Sequence, residues 1–559
     1  MYGWLQATLI LAVVVGLHVP LGDYMARALD GGRHSRAERF LHKVCGIDPD
    51  REQDWRHYLF ALLAFSVTSI AALFTLFTLQ GRLPWSTGHE GMPWRLALHT
   101  AVSFTTNTSW QNYAGESTTG HLAVMAGLGV QAFASGAVGL CVALALIRGL
   151  TRRDTDLLGN FWVDLIHSVL RIFLPLSVVF GIVLIALGVP QSLGGAHIVT
   201  TVAGGEQTLL GGPVGSWEPV KLMSGDGGGI FNANSAHPYE NPTSVTNAIE
   251  IVLMLLIPTA FIRTYGRMIG SLRQSWTLLA VVGILFGLLL AAGNLAQSAH
   301  NGTVTEAVGG QYEGTETRFG VPASTLFGVA ATGTADGAAN ASYDSFSSLG
   351  GGVLLSAMML GEIAPGGTGS GLYGLIMAVM VAVFIGGLMV GRTPEYLRKR
   401  LGFGEMRHVV LYALVSPTAV LACVALAVAL GHGPSSMGNP GPHGLTELTY
   451  AYTSNVNSNG SAMAGFNGAT DFHNLLMSAA MLIGRCLPMV FVLALAGRLA
   501  RQRPGVVTVG TLQARGVNFV ALATGAALLL ALLNYLPVLS LGPLAEGLMR
   551  GEHLTDHGR

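Results

Sequence analysis

Charge is scarce in this chain. Of its 559 residues only 11% are Asp, Glu, Lys or Arg, where a soluble globular chain carries roughly 25%. That deficit excludes an ordinary water-soluble domain and points to lipid. The formal net charge is zero and the basic residues flank apolar runs, which argues against a nucleic-acid partner. Lysine is rarest, confined to Lys43, Lys221 and Lys399. A Walker loop needs Gly-Lys followed by Ser or Thr, and none of the three is so placed. The four cysteines, Cys45, Cys141, Cys423 and Cys486, have no CxxC spacing, so neither a disulfide framework nor a zinc site is implied.

Apolar residues are abundant. Runs long enough for a bilayer, which needs roughly 20 residues per helix, lie near residues 3–28, 58–80, 121–148, 164–190, 246–264, 274–296, 346–391, 407–431, 472–497 and 516–540. The seventh is overlong. The first has no basic flank and no small-residue cleavage site, and reads as a retained helix rather than a signal peptide. With the N-terminus outside, 22 Lys and Arg fall on the inner side. Six fall outside, namely Arg82, Arg95, Lys221, Arg318, Arg550 and Arg559, and Arg171 and Arg485 lie within helices. The positive-inside bias therefore predicts both termini outside, in an all-α polytopic membrane protein of about ten spanning helices.

The outer connections carry an internal repeat. Each contains a stretch too short to span, at 95–104, 216–223, 323–332 and 445–453, followed by a small, polar, Gly-rich run. Aligned on Asn107-Thr108, Asp226-Gly227, Asp336-Gly337 and Asn459-Gly460, the runs are separated by 119, 110 and 123 residues. This near-constant period predicts four helix, pore-loop, helix units: 58–150 with a loop at 95–111, 160–268 with a loop at 216–230, 274–392 with a loop at 323–340, and 407–503 with a loop at 445–461. Helices at 1–30 and 516–540 are additions at either end.

Non-helical backbone survives at membrane depth only where it is buried in protein or lines a watery cavity, and four loops about one axis satisfy that together. Glycine lets successive carbonyls turn toward an axis, and rings of carbonyl oxygens are how potassium filters replace a hydration shell. Half-helices aim their negative C-terminal ends at the same axis. Any one such loop also reads as an ordinary turn; four at a matched spacing predict a cation pore.

At these residues the sequence resembles the family of potassium-binding subunits of the Kdp potassium-transporting ATPase (KdpA), over almost the whole chain. The resemblance is carried by GGGIFNANSAHPYENPT at Gly227 to Thr243, by Cys45 to Gln53, Thr105 to Gln111, Glu313 to Gly320 and Gly367 to Gly374, and by Gly391 to Leu397. It implies a subunit of a bacterial inner membrane that takes K+ from outside through a filter and passes it along an intramembrane tunnel. The receiver would be a P-type ATPase subunit, KdpB, which binds ATP and Mg2+, with KdpC and KdpF completing the complex. The aspartate-centred DKTGT phosphorylation motif of such pumps is missing here, so no catalytic site is expected in this chain and energy must come from another chain or from the ion gradient. By position, the implied filter falls on Asn107, Thr108, Gly225, Asp226, Gly227, Asp336, Gly337, Ser458, Asn459 and Gly460, flanked by Thr106 and Gln111. The family has neutral residues where Asp226 and Asp336 stand. Carboxylates on the axis would alter cation affinity; carboxylates turned into the protein would leave the filter carbonyls as they are.

The overlong run is broken by Glu362-Ile-Ala-Pro-Gly-Gly-Thr-Gly-Ser-Gly371, which no continuous helix tolerates. Glu362, ionisable at membrane depth, either pairs with a basic neighbour or, with Gly369, belongs to the gate or tunnel element below the filter that the resemblance implies. Arg392 fits either the same exit or a snorkelling inner-face arginine. His167, Arg171, Glu250 and Arg485 read mainly as interhelical pairs, because arginine repels a cation, and His237 and His473 as outer-loop residues without metal-site spacing. A self-standing channel of the Trk and HKT type shares the four-loop plan. A secondary transporter would show inverted repeats, whereas these all run one way.

Overall fold

The computed structural model describes residues 2–32, 34–299, 311–505 and 514–548. The placements expected for Arg33, Arg550 and Arg559 lie outside the described residues. Among the described residues, ten helices are long and apolar enough to cross a membrane: Gly3–Leu29, Trp55–Arg82, Ala123–Thr151, Phe161–Ala186, Ser244–Met268, Leu272–Ser298, Ser370–Met389, Phe403–Ala429, Asp471–Arg501 and Val517–Leu548. Each closes its backbone hydrogen bonds internally, the condition for residence in hydrocarbon. The overlong apolar run is two helices, Ser348–Met359 and Ser370–Met389, with residues 360–369 between them.

Burial is uneven around this bundle. Ala123–Thr151 and Ser244–Met268 are the most enclosed of the ten, whereas Trp55–Arg82 is the least and turns Phe60 and Val67 outward. The enclosed helices depend on small residues, because helices in lipid associate through close packing rather than through exclusion of water. A Cβ on Gly136 would stand 3.1 Å from the Cα of Ser224, and one on Gly149 would stand 2.6 Å from the carbonyl oxygen of Ala496. Gly3–Leu29 lies along Ser244–Met268, where Asp23 takes both Arg263 (2.8 Å) and Arg267 (2.5 Å).

Four shorter helices sit between spanning helices: Trp94–Thr105, Val214–Ser224, Val321–Gly333 and Gly441–Asn457. The fourth is longer than its sequence stretch by a turn at each end. Three two-stranded antiparallel ribbons lie in the connections, the largest pairing His197–Thr200 with Glu206–Leu209. Lys221, expected as an outer basic residue, is fully buried in the second half-helix. His473 is likewise no loop residue: it opens Asp471–Arg501 and is buried against Tyr452 Oη at 2.8 Å.

At its start the fourth half-helix is clasped to two other elements through His443. Its Nε2 lies 3.1 Å from Asp344 and its Nδ1 3.0 Å from Glu546, with Glu447 at 3.9 Å. Hydrogen bonds to Asp344 and Glu546 raise its pKa to about 10. A pKa raised on folding contributes stability that is fully present below the unfolded value of about 6.5 and is lost as pH rises through about 10. In thermal unfolding in detergent, the deficit of His443→Gln relative to the parent should be full at pH 6 and shrink steadily toward pH 10.

Candidate functional site

All four half-helices end in the same turn. The amides of Thr108, Asp226, Asp336 and Asn459 each return five residues, to the carbonyls of Ser103 (2.9 Å), Lys221 (3.0 Å), Ala331 (3.0 Å) and Ser454 (2.8 Å). The residue before each is left-handed: Asn107 (φ 60°), Gly225 (72°), Ala335 (56°) and Ser458 (64°). Three of these four are not glycine, and a non-glycine residue persists there only when its surroundings hold it. The repeat therefore registers Thr108 with Asp226, Asp336 and Asn459. The alignment of Asn107 with those residues is one position out in the first unit, because Asn107 and Asp226 are both Asx and the chemistry masks the slip. Composition does not single out Ala335, which takes the left-handed place without being glycine, or Ser109, whose acceptor lies on the next loop.

The loops close on one another in a ring. Between the first and second, Asn107 Nδ2 donates to the carbonyls of Gly225 (2.9 Å) and Ser224 (3.2 Å), the Ser109 hydroxyl donates to the Asp226 carboxylate, and Gln111 Oε1 accepts from the Gly229 amide at 2.9 Å. Between the second and third, a Cβ on Gly227 would collide with the backbone of Gly337. Between the third and fourth, a Cβ on Gly337 would stand 2.9 Å from the Asn459 carbonyl oxygen, and Asn459 Nδ2 reaches the Ala331 carbonyl at 3.3 Å. Between the fourth and first, a Cβ on Gly460 would strike the Thr108 carbonyl oxygen and stand 3.4 Å from that of Asp226. Only glycine permits approaches this close.

Thr108, Asp226, Asp336 and Asn459 are all buried. Among the described residues no donor reaches their carbonyl oxygens. The carbonyls of Gly225 and Gly227, by contrast, are taken, the latter by Asn234 Nδ2 at 2.7 Å. The side chains of the registered residues are engaged in the wall. Asp336 Oδ1 accepts from the Ala338 amide (2.9 Å), just as Asn459 Oδ1 accepts from that of Ser461 (3.1 Å), and the Asp226 carboxylate meets Ser109. Thr106 Oγ1 bonds Thr108 Oγ1 at 2.9 Å.

The long signature motif works behind the second loop. Glu240 accepts from the Phe231 amide (2.9 Å) and pairs with Lys221 Nζ (2.8 Å), which also meets Glu218 (3.1 Å) and Ser235 (3.1 Å). Lys221 is the residue whose carbonyl holds the Asp226 amide, so the ion cluster fixes the turn.

A cavity of about 130 Å³ adjoins the end of the fourth half-helix, lined by Asn457, Ser458, Glu362, Tyr373, Arg485 and Asn534 among others. Glu362 Oε1 has no partner there, and no ion pair joins it to Arg485 among the described residues. Arg485 was expected in an interhelical pair; it lines the cavity and donates weakly to the Ser135 carbonyl at 3.4 Å. Arg171 does pair, with Glu38 on a short helix at 2.6 Å. Glu250 is buried with both oxygens unpartnered. Gly369, φ 84°, packs on the Gly139 backbone and fixes the broken segment. Arg392 is exposed and does not line the cavity.

Ten apolar helices enclosing four half-helices whose loops share one axis define a polytopic transporter of the pore-loop class. The profile described as "Potassium-transporting ATPase A subunit" matches residues 8–548, and the chain belongs to that family. It is 48% identical over 546 residues to the "Potassium-transporting ATPase potassium-binding subunit" of Kineococcus radiotolerans, covering 98% of each chain. It is 49% identical over 545 residues to the protein of the same description from Mycolicibacterium smegmatis, covering 97% of this chain and 98% of that one. Among solved structures, the potassium transporter TrkH of Vibrio parahaemolyticus superposes with a TM-score of 0.52 at 12% identity, over 88% of this chain and 96% of that one, a likeness of fold.

The equivalence of Asp336 and Asn459 makes a prediction. Asp336→Asn retains the acceptor for the Ala338 amide and should unfold within about 1 kcal/mol of the parent, whereas Asp336→Ala strands that amide and should cost about 1–3 kcal/mol. Chemical unfolding in detergent followed by tryptophan fluorescence separates the two.

Proposed function

We propose that the chain is the potassium-binding and potassium-conducting subunit of an ATP-driven uptake complex, with the ring at Thr108, Asp226, Asp336 and Asn459 as its filter. The observation that carries this reading is the set of four buried, donor-free carbonyls at one repeated position. A polar group left dry and unpaired costs several kcal/mol, and a dehydrated cation is the partner that repays it. Asn107, Gly225, Ala335 and Ser458 give each loop its turn; Gly227, Gly337 and Gly460 let the loops meet. Gln111 braces the first loop against the second, and Thr106 holds Thr108 within the first. The C-terminal ends of the half-helices add negative potential at the same place.

K+ enters from the outer, periplasmic side of a bacterial inner membrane, sheds water in the ring and moves to the cavity beside Ser458. There Glu362 attracts the ion and Arg485 opposes its free passage toward the inside, so the exit is lateral, along the broken segment held by Gly369, to a partner chain. Arg392, exposed and away from the cavity, acts as an inner-face anchor. The partner is a P-type ATPase subunit (KdpB) that binds ATP and Mg2+ and hydrolyses the nucleotide, with KdpC and KdpF completing the assembly. The similarity of fold to TrkH favours a second reading, a self-standing channel.

The test is potassium-dependent ATP hydrolysis by the chain purified with its pump partner. Gly460→Ala should raise the half-saturating K+ concentration at least about tenfold, equivalent to about 1.4 kcal/mol, with maximal turnover preserved. Glu362→Gln should lower turnover at saturating K+ while leaving half-saturation within about threefold, about 0.65 kcal/mol on the same scale. Hydrolysis indifferent to both, together with K+ flux through the isolated chain in liposomes without ATP, would establish the channel reading instead.

A further inference from the structure

In the connection between the first two spanning helices, the helix Arg36–Val44 folds back against the start of Phe161–Ala186 and brings three imidazoles and a carboxylate together. His34 Nδ1 lies 3.3 Å from His167 Nε2. Glu38 Oε2 lies 3.8 Å from the first of these nitrogens and 3.9 Å from the second. A point equidistant from three atoms so spaced is about 2.1 Å from each, which is the bond length of Zn2+ to imidazole nitrogen and carboxylate oxygen. Glu38 is 1%, His167 2% and His42 4% exposed.

His42 is the second, independent observation. Its ring stands edge-on to His34, with 4.9 Å between centroids, yet both of its nitrogens are buried without a hydrogen-bond partner. Buried imidazoles nearly always satisfy at least one nitrogen. Arg171 completes the arrangement: its Nε donates to Glu38 Oε1 at 2.6 Å and its Nη2 to Oε2 at 2.8 Å, the outer-sphere bonding that orients a ligating carboxylate. The guanidinium's charge lowers the affinity that four such ligands would otherwise reach, as like charges repel. His34, with its side chain one-quarter exposed, gives an ion a path in. Immediately after His167 the helix widens into a π-turn, Ser168–Phe173, a distortion that recurs at functional sites.

We propose that His34, Glu38 and His167 bind one divalent transition-metal ion of the zinc class, with His42 beside them as the third imidazole. Such an ion would staple the connection between the first two spanning helices to the beginning of the second repeat. The site is remote in sequence from every filter residue and independent of the transport reading.

Full-length chain without a polyhistidine tag, purified in detergent with its co-purifying subunits, is equilibrated with micromolar Zn2+, exchanged into metal-free buffer and assayed by elemental analysis; Co2+ replaces Zn2+ for visible absorption. The expected result is one Zn2+ per chain and tetrahedral-type Co2+ bands. Both should fall at least tenfold in His34→Gln and His167→Gln and stay unchanged in His57→Gln, where the histidine lies on the exposed start of another helix. Because His34 is partly exposed, His34→Gln tests the site even where the buried His167→Gln folds poorly. Less than one-tenth of an ion per parent chain would overturn the proposal, as would equal stoichiometry in parent and His34→Gln, or an equal fall in His57→Gln.

Discussion

A backbone carbonyl removed from water without a donor is an unpaid electrostatic cost, and this fold contains four of them at equivalent positions. The surrounding structure can be understood as the means of keeping them unpaired. The half-helices deliver each loop to the axis, and the left-handed residues at 107, 225, 335 and 458 reverse the chain so that the next carbonyl stays free. Meanwhile the amide of that same residue is satisfied five positions back. Donors that could quench the ring are spent elsewhere: Asn107 on Gly225 and Ser224, Asn234 on Gly227, Trp217 on Gly228, Tyr343 on Ala338. Under the proposed reading, the choice of which carbonyls are capped and which are left bare is what would separate a cation site from a tightly packed turn.

Rigidity follows from the same requirement. Four loops with bare carbonyls repel one another, so the contacts between them must be strong and short. Two kinds of contact do this: amide, hydroxyl and carboxylate bonds between the first and second loops, and backbone-on-glycine contact between the second and third, third and fourth, and fourth and first. The buried Lys221 cluster anchors the second loop from behind, and stripping one member from such a cluster costs about 3–5 kcal/mol because a charge is left unpaired. Small residues do the corresponding work deeper in the bundle. Gly139 admits the Thr368 carbonyl and the Gly369 backbone, which presses the broken segment, and with it Glu362, into place beneath the fourth half-helix.

The sequence made the helices legible because hydrocarbon imposes one rule on every span, and all ten apolar runs correspond to a long helix or to its broken equivalent. The half-helices were legible as short apolar stretches followed by Gly-rich runs. Register was harder. Asn107 imitates Asp226 in composition while occupying the place of Gly225, and Ala335 and Ser458 adopt a conformation that composition assigns to glycine. What decides those positions is the hydrogen bond to a carbonyl five residues earlier, and periodicity does not encode it. Charges were misjudged for a related reason. Lys221 looked like a flank because its partners Glu218, Glu240 and Ser235 are brought to it only by the fold, and Arg485 looked like half of an ion pair although no acid of the described residues pairs with it.

The differences among the four units are as telling as their likeness. A ring of identical loops would present the same environment below as above, and an ion would have no preferred exit. Here the fourth half-helix is the longest of the four and ends beside the cavity, while the third unit is the one whose second helix is broken. An acidic and a basic side chain, Glu362 and Arg485, line that cavity together, and among the described residues no ion pair joins them. The end of the fourth half-helix and the break in the third unit thus meet at one cavity, which the first two units do not share. Under the proposed reading, a route straight down the axis would gain nothing from that asymmetry, whereas a lateral exit toward a neighbouring chain would use it.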